Sequence, residues 1–345
     1  MRNTGLRPGL SRTGVLVGVA VAAVAGVGLL IAVIFLAGLF FVHERRAADA
    51  TRGSGLGEEF SYDLRAYRRT DPALIGYGEV NRIATGLAAA RGIATDAADR
   101  IYVAGDRAVR IFGKDGARAG EIALEAEPRC LAVASEGTVY VAMKDHVEAF
   151  GPDGARRAAW AGLGPRAAIT SIAVGDAGVF VADAGNRVVL RCDTTGKVAR
   201  EIGRKDPARG IPGFLIPSPH FDVAAARDGL LRVANPGRHT IEVYTPDGDL
   251  ELEWGRASIG IDGFSGCCNP TDIAVLEDGS VVTSEKGLPR VKVYDPQGTL
   301  QCVVAGAEAF PEDAVGLDLA VDSGGRILVL DPTDASVRIF VKKPR

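Results

Sequence analysis

A motif that recurs six times between about Gly92 and Phe340 constrains this chain more than any other feature. Its clearest copy reads Ile172-Ala173-Val174, a turn at Gly178, Val179-Phe180-Val181-Ala182-Asp183, then Asn186-Arg187-Val188. A turn residue precedes the second apolar run of every copy, at Asp99, Gly137, Gly178, Gly229, Gly279 and Gly325. These markers lie roughly 38 to 51 residues apart, the range of propeller blades. Each copy holds three or four short apolar runs, rich in β-branched and aromatic residues and separated by Gly, Asp, Asn and Pro. That is how an antiparallel meander reads. One such sheet cannot bury both faces, so the copies must stack, and closing six of them into a ring leaves no exposed end.

The last copy runs Leu319-Ala320-Val321, Ile327-Leu328-Val329-Leu330 and Val337-Arg338-Ile339-Phe340, which is one strand short of a blade. A spare apolar stretch upstream of the first copy, Leu74-Ile75 through Val80-Asn81-Arg82-Ile83, has the length of a strand. The expectation is an all-β, six-bladed propeller over residues 72–345, with antiparallel four-stranded blades and this N-terminal strand closing the last one.

The pattern resembles the NHL repeat of six-bladed propellers over roughly residues 74 to 343. The resemblance is carried by Ala182-Asp183 followed by Asn186-Arg187-Val188, by Val243-Tyr244 before Asp247-Gly248, and by Val293-Tyr294 before Gln297-Gly298. Blades 1 and 2 depart from it, with Asp106-Arg107 and Lys144-Asp145 in place of Asn-Arg. The resemblance implies a fold and leaves activity open, since relatives are variously binding modules and enzymes. Resembling peptide-amidating lyases bind metal through histidines of several inner strands; here only His220 and His239 fall near the expected mouth. Gluconolactonase-like relatives announce their site with Glu-Gly-Pro entering the first blade, where this chain reads Ala90-Arg91-Gly92-Ile93.

Charge and hydropathy add the setting. With 40 Lys and Arg against 43 Asp and Glu, interspersed through the repeats, the chain has no basic face to neutralise phosphates, and nucleic acid is not an expected partner. Residues 14–42 form an uncharged Val, Ala, Leu, Ile, Gly and Phe stretch. As a helix it would reach roughly 40 Å, more than the hydrocarbon core of a bilayer. Ala48-Asp49-Ala50 resembles a signal-peptidase site, but the apolar run is longer than a signal peptide's, and Arg45 and Arg46 intervene. The reading is a short tail over 1–13, a single-pass transmembrane signal anchor over 14–42 and a flexible linker over 43–71. Arginines flank the anchor on both sides, so only the free amino terminus favours an N-inside orientation, with the propeller on the periplasmic, extracytoplasmic side.

Candidate chemistry gathers where the loops entering blades 4, 5 and 6 should converge on one mouth of the central channel. These entries contain His220, then Cys267, Cys268, Asn269 and Asp272, then Asp318. Loops between second and third strands add Asn235 and Arg238, Glu285 and Lys286, and Asp331. Adjacent Cys267 and Cys268 leave three readings open: a vicinal disulfide that rigidifies the loop, a thiolate pair binding a soft metal together with His220, or two packed thiols. Cys192 and Cys302 lie in strand contexts and read as buried core thiols, and Cys130 begins an inner strand. Glu285 with Lys286, backed by Asp272, Asp318 and Asp331, is a candidate acid–base set, although Asp in blade turns commonly bonds the backbone instead. Trp160 and Trp254, each just before a blade junction, read as outer-strand residues that close a blade and not as a sugar platform. The expected function is a membrane-anchored module that binds a protein or small-molecule ligand at the mouth, with no cofactor required. The alternative is a metal-assisted hydrolase or lyase, or a thiol-redox or metal-binding protein, using the same mouth.

Overall fold

The computed structural model describes residues 64–344. The expected tail, transmembrane anchor and most of the linker lie outside the described residues. Among those described, no helix is long and apolar enough to cross a membrane.

Twenty-four strands form six four-stranded sheets. The first, β1 (Tyr77–Ala84), stands apart in sequence. Blade 1 is β2 (Ala90–Thr95), β3 (Ile101–Gly105), β4 (Ala108–Phe112) and β5 (Arg118–Ala123), and blade 2 is β6 (Cys130–Val133), β7 (Val139–Ala142), β8 (Val147–Phe150) and β9 (Arg156–Ala159). Blade 3 follows with β10 (Ile169–Gly175), β11 (Gly178–Asp183), β12 (Val188–Cys192) and β13 (Val198–Ile202). Blade 4 has β14 (Val223–Ala225), β15 (Leu231–Asn235), β16 (Thr240–Tyr244) and β17 (Leu250–Trp254). Blade 5 has β18 (Asp272–Val275), β19 (Val281–Ser284), β20 (Val291–Tyr294) and β21 (Leu300–Ala305). Blade 6 is β22 (Asp318–Val321), β23 (Ile327–Asp331) and β24 (Ser336–Lys342), completed by β1 in the order β1-β24-β23-β22.

The six residues that set the phase of the repeat all adopt positive φ, between 60° at Asp99 and 130° at Gly178. They form the tight turns between the first and second strands of each blade, where a left-handed residue is needed to reverse the chain. The turns after the second strands repeat the device with Asp106, Arg187, His239 and Ala335 at positive φ.

The core lies between the blades. Six apolar clusters fill the six junctions: Tyr102 and Val139 between blades 1 and 2, for example, and Leu330 and Ile93 where blade 6 meets blade 1. Trp160 and Trp254 are buried in two of these junctions. Trp254 tilts against Tyr294 of the next blade at a centroid distance of 5.1 Å. The inner strands β2, β6, β10, β14, β18 and β22 adjoin one another in a closed circle around the channel.

Closure rests on β1, which pairs antiparallel with β24 from Tyr77 opposite Lys342 to Ala84 opposite Ser336. Buried Arg338 of β24 is the pin: it donates to Glu79 Oε2 at 2.6 Å and to Ala309 O at 2.9 Å, and stacks over Phe310. Just upstream, in the last part of the expected linker, Arg68 donates to Ala307 O and Phe310 O at 2.8 and 2.9 Å, so this end of the segment is docked on the loop entering blade 6. Replacing Arg338 with Ala should cost about 2 kcal/mol in urea unfolding and open the β1 segment to protease. An unchanged midpoint and cleavage pattern would mean that β1 closes the ring without this pin.

Candidate functional site

Every inner strand carries the same short phrase at or near its start, one residue followed by a branched apolar residue and alanine. That first residue is Gly92, Cys130, Ser171, Asp222, Asp272 and Asp318 around blades 1 to 6. From blade 3 onward it reaches across the junction to the backbone N–H of the next inner strand. Ser171 Oγ accepts from Val223 at 3.3 Å, Asp222 from Ile273 at 2.6 Å, Asp272 from Leu319 at 2.8 Å, and Asp318 from Ile93 of blade 1 at 2.6 Å. Three carboxyls are thereby crowded into one half of the channel wall.

Crowding and burial make these groups reluctant to ionise. Burial, with the nearby Asp318 charge and against a hydrogen bond from Ser171, pushes Asp222 up to about 7. Burial and the charges of Asp222 and Asp318 raise Asp272 well above the carboxylate range, and burial raises Asp318 although Asp272 and Ile93 donate to it. Cys130 shares the ring, and burial followed by the charges of Asp318 and Asp222 holds it as the thiol.

Above this floor opens a cavity of about 430 Å³ that draws on all six blades. Its wall includes His220, Asp222, Asp272 and Asp318, and its rim carries Arg91, Arg129 and Lys144 from blades 1 and 2. Arg91 pairs with Glu127 at 3.2 Å. Among the described residues, neither Arg129 nor Lys144 makes an ion pair, and both are exposed. His220 is pushed down to about 4 by burial and by the charge of Lys286, so it faces the cavity as neutral imidazole.

A second cluster stands beside the first. Cys267 is exposed and Cys268 buried, their sulfurs 3.2 Å apart and unbonded. Burial would raise the Cys268 thiol, but hydrogen bonds with Lys286, Ser218 and Cys267 outweigh it and hold the group below the usual thiol value. Lys286 Nζ also donates to Ser218 Oγ at 3.2 Å. Asn269 fixes the loop from both ends: its Nδ2 donates to Ser265 O at 2.6 Å and Lys286 O at 2.9 Å, while its Oδ1 accepts from Lys286 N.

Other candidates are placed elsewhere. Glu285 does not line the cavity. It is fully buried between Arg290 and Lys292, at 2.8 and 2.7 Å, and accepts from Ser265 N at 2.8 Å. Burial opposes its charge, but those two cations hold its carboxyl below the usual range, while burial pushes Lys292 down to about 8. An already neutralised carboxylate without access to the mouth is a support for the Cys267 loop, not an acid–base group. Asn235 is also buried, accepting from Leu215 N at 2.9 Å and donating to Glu242 at 2.6 Å. Arg238 pairs with Glu253 at 3.0 Å, and Asp331 caps its own turn through Thr333 N at 3.0 Å. None of the three lines the cavity.

Among the described residues, no group of three or more His, Cys, Asp and Glu is arranged to hold a metal ion. Cys267, Cys268 and His220 therefore form no three-ligand set. Sequence reasoning placed the entry segment holding Ser218 and Asp222 at the mouth without giving either a role, and it overlooked Arg129 and Lys144. Aligning the six inner-strand phrases would have placed Asp222 in register with Asp272 and Asp318.

Because Asp222 has a folded value near 7, above the unfolded value of about 3.9, the folded protein keeps a proton that the unfolded chain has lost between those limits. Its contribution to stability falls as pH rises through that window and levels off above it. Asp222→Asn retains an acceptor for Ile273 and removes this titration. It should reduce the loss of Tm between about pH 5 and 8 and melt above the parent at pH 8 in scanning calorimetry; a lower Tm at pH 8 would show that the parent carboxylate is charged and stabilising there.

No protein-family model and no curated protein matches the chain. Solved structures do. A streptogramin B lyase structure superposes with a TM-score of 0.53 at 11% identity, covering 79% of this chain and 100% of the lyase. The virginiamycin B lyase from Staphylococcus aureus gives 0.51 at 17%, covering 78% and 88%. The WD40 propeller domain of Doa1 gives 0.52 at 14%, covering 74% and 79%. At such identities the likeness is one of fold, and it agrees with the strand order: the chain is a six-bladed β-propeller.

Proposed function

We propose that this is an NHL-type propeller, anchored by residues 14–42 and held outside the cytoplasm, that binds a small anionic molecule at the mouth of its channel. The observation that carries this reading is the pairing of a cavity of about 430 Å³ with rim cations that have no carboxylate partner among the described residues, Arg129 and Lys144. A cavity of that size suits a small ligand better than a flat protein surface. The acids beneath offset the rim charge only in part, because burial favours their protonated forms, and a protonated carboxyl can donate to an anion's oxygen. Neutral His220 and the carbonyls of the entry loops add polar contacts without adding charge. Recognition of this kind demands no reaction.

Isothermal calorimetry on the purified full chain with succinate and with inorganic phosphate tests the site. At least one should bind, more weakly as salt rises, and Arg129→Ala or Lys144→Ala should weaken it about tenfold, the scale of one charge-assisted contact. Heat changes absent with both anions would refute the anionic ligand. The anchor is tested separately. The full chain should sediment with membranes and resist alkaline extraction, deletion of residues 14–42 should release it, and a full chain already soluble without detergent would overturn the anchor.

A further inference from the structure

The thiol pair is a site in its own right. Its two members are built unequally: Cys267 faces solvent, whereas Cys268 is 3% exposed, with its sulfur against that of Cys267 and with Lys286 and Ser218 lowering its thiol. Cys192 supplies an internal contrast. It sits among Val179, Val181 and Leu190 in the junction of blades 2 and 3, where burial pushes its thiol up to about 11, as expected of an inert core cysteine. Around Cys268 the fold instead supplies an ammonium group and a hydroxyl.

The loop that presents the pair is fixed independently of the sulfurs. Ser265 is tied to Glu285, the Gly266 carbonyl to His239 Nε2 at 2.8 Å, and Asn269 to both Ser265 and Lys286. Reduction or oxidation can therefore occur without the loop losing its anchors. Consecutive Cα atoms are about 3.8 Å apart, below the usual span of roughly 4.4 to 6.8 Å for a disulfide. A bond closed between such neighbours is strained and readily given back, which suits exchange and not a permanent staple.

We propose that Cys267 and Cys268 form a thiol–disulfide exchange site whose substrates are low-molecular-weight disulfides, with exposed Cys267 as the entering thiol and buried Cys268 as the resolving one. The thiol of Cys267 is held above the usual value by its hydrogen bond with Cys268, so its minor thiolate form, the proton having gone to water, attacks one sulfur of a disulfide RSSR. The Cys267–S–S–R bond forms, the S–S bond of RSSR breaks, and RS⁻ leaves to take up a proton. The Cys268 thiolate, held beside Lys286, then attacks the Cys267 sulfur 3.2 Å away. The Cys267–Cys268 bond forms and a second RS⁻ leaves. The protein has lost two electrons and two protons, and RSSR has become two RSH. Neither sulfur nor Lys286 lines the anion cavity, so the exchange needs no ligand bound there.

The test uses the purified full chain, reduced and freed of reductant, with glutathione disulfide, read by intact and peptide mass spectrometry. The expected product lacks two hydrogens in the peptide containing Cys267 and Cys268, appears with release of two glutathione molecules, and reverts with dithiothreitol. Cys268→Ser should stall as a glutathione adduct on Cys267, and Cys267→Ser should not react at the pair. Lys286→Met should slow resolution about tenfold and shift its pH profile upward, with Lys286→Arg restoring it. A parent protein that stays reduced at the pair, or that accumulates a lasting glutathione adduct on Cys267, would overturn the proposal, and neither result depends on a variant folding.

Discussion

The structure depends on a circular constraint: each blade's buried face is completed only by the next blade, so the apolar junctions are stable only if the sixth is made as well. Six clusters of branched and aromatic side chains meet this demand, and β1 completes the circle by supplying the strand that β22 to β24 lack. Burial at this scale is non-directional and would tolerate sliding of one sheet on another. Direction comes from the hydrogen bonds around the channel. Inner strands of neighbouring blades are not paired with each other, and N–H groups facing the junction need an acceptor. Asp222, Asp272 and Asp318 provide it on the three junctions that lead from blade 4 back to blade 1. Between blades 1 and 2 the backbones leave little room for a bridging side chain, since a Cβ on Gly92 would stand 3.1 Å from Cys130 Cα.

The same struts create the chemistry of the mouth. A carboxyl buried to accept one backbone N–H still carries a second oxygen, and three such groups in one half of a ring cannot all be charged. The floor of the cavity is consequently a proton-holding surface, while the positive charge stands on the rim of blades 1 and 2. Architecture and electrostatics are thus one arrangement, in which the residues that hold the junctions also decide what kind of ligand the mouth favours.

Much of this was legible in the sequence because the turns are chemically explicit. Asp99, Gly137, Gly178, Gly229, Gly279 and Gly325 mark the phase since a left-handed backbone is required at each. The missing strand of blade 6 and the spare segment near Val80 announced the closure. What stayed hidden is the direction of side chains. Glu285 looks like a mouth residue from its loop, but its partners Arg290 and Lys292 follow across a tight turn and draw it inward. Arg129 and Lys144 carry no motif, and their meaning emerges only once the channel is drawn. The role of Asp222 was concealed by a strand of only three residues after a long entry loop, which blurs the register with the other blades.

The buried ion cluster behind the thiol loop shows why that loop keeps its shape. Burying Glu285, Arg290 and Lys292 together costs desolvation that their mutual attraction only partly offsets, so their presence is a poor argument for stability alone. The segment they face, residues 256–268, has little regular secondary structure and carries backbone groups that no strand satisfies. Arg290 donates to the carbonyls of Ile259 and Gly260, Lys292 to those of Ile261 and Gly263, and Glu285 accepts from Ser265 N. Apolar replacements of equal volume would leave the buried Gly263 carbonyl and Ser265 N–H unpaired, each at about 1 to 3 kcal/mol, and strip the half-buried carbonyls of Ile259, Gly260 and Ile261 of their donors. The cluster is therefore the local substitute for a sheet. It holds an irregular chain rigidly enough that Cys267 and Cys268, two and three residues beyond Ser265, are presented in one geometry.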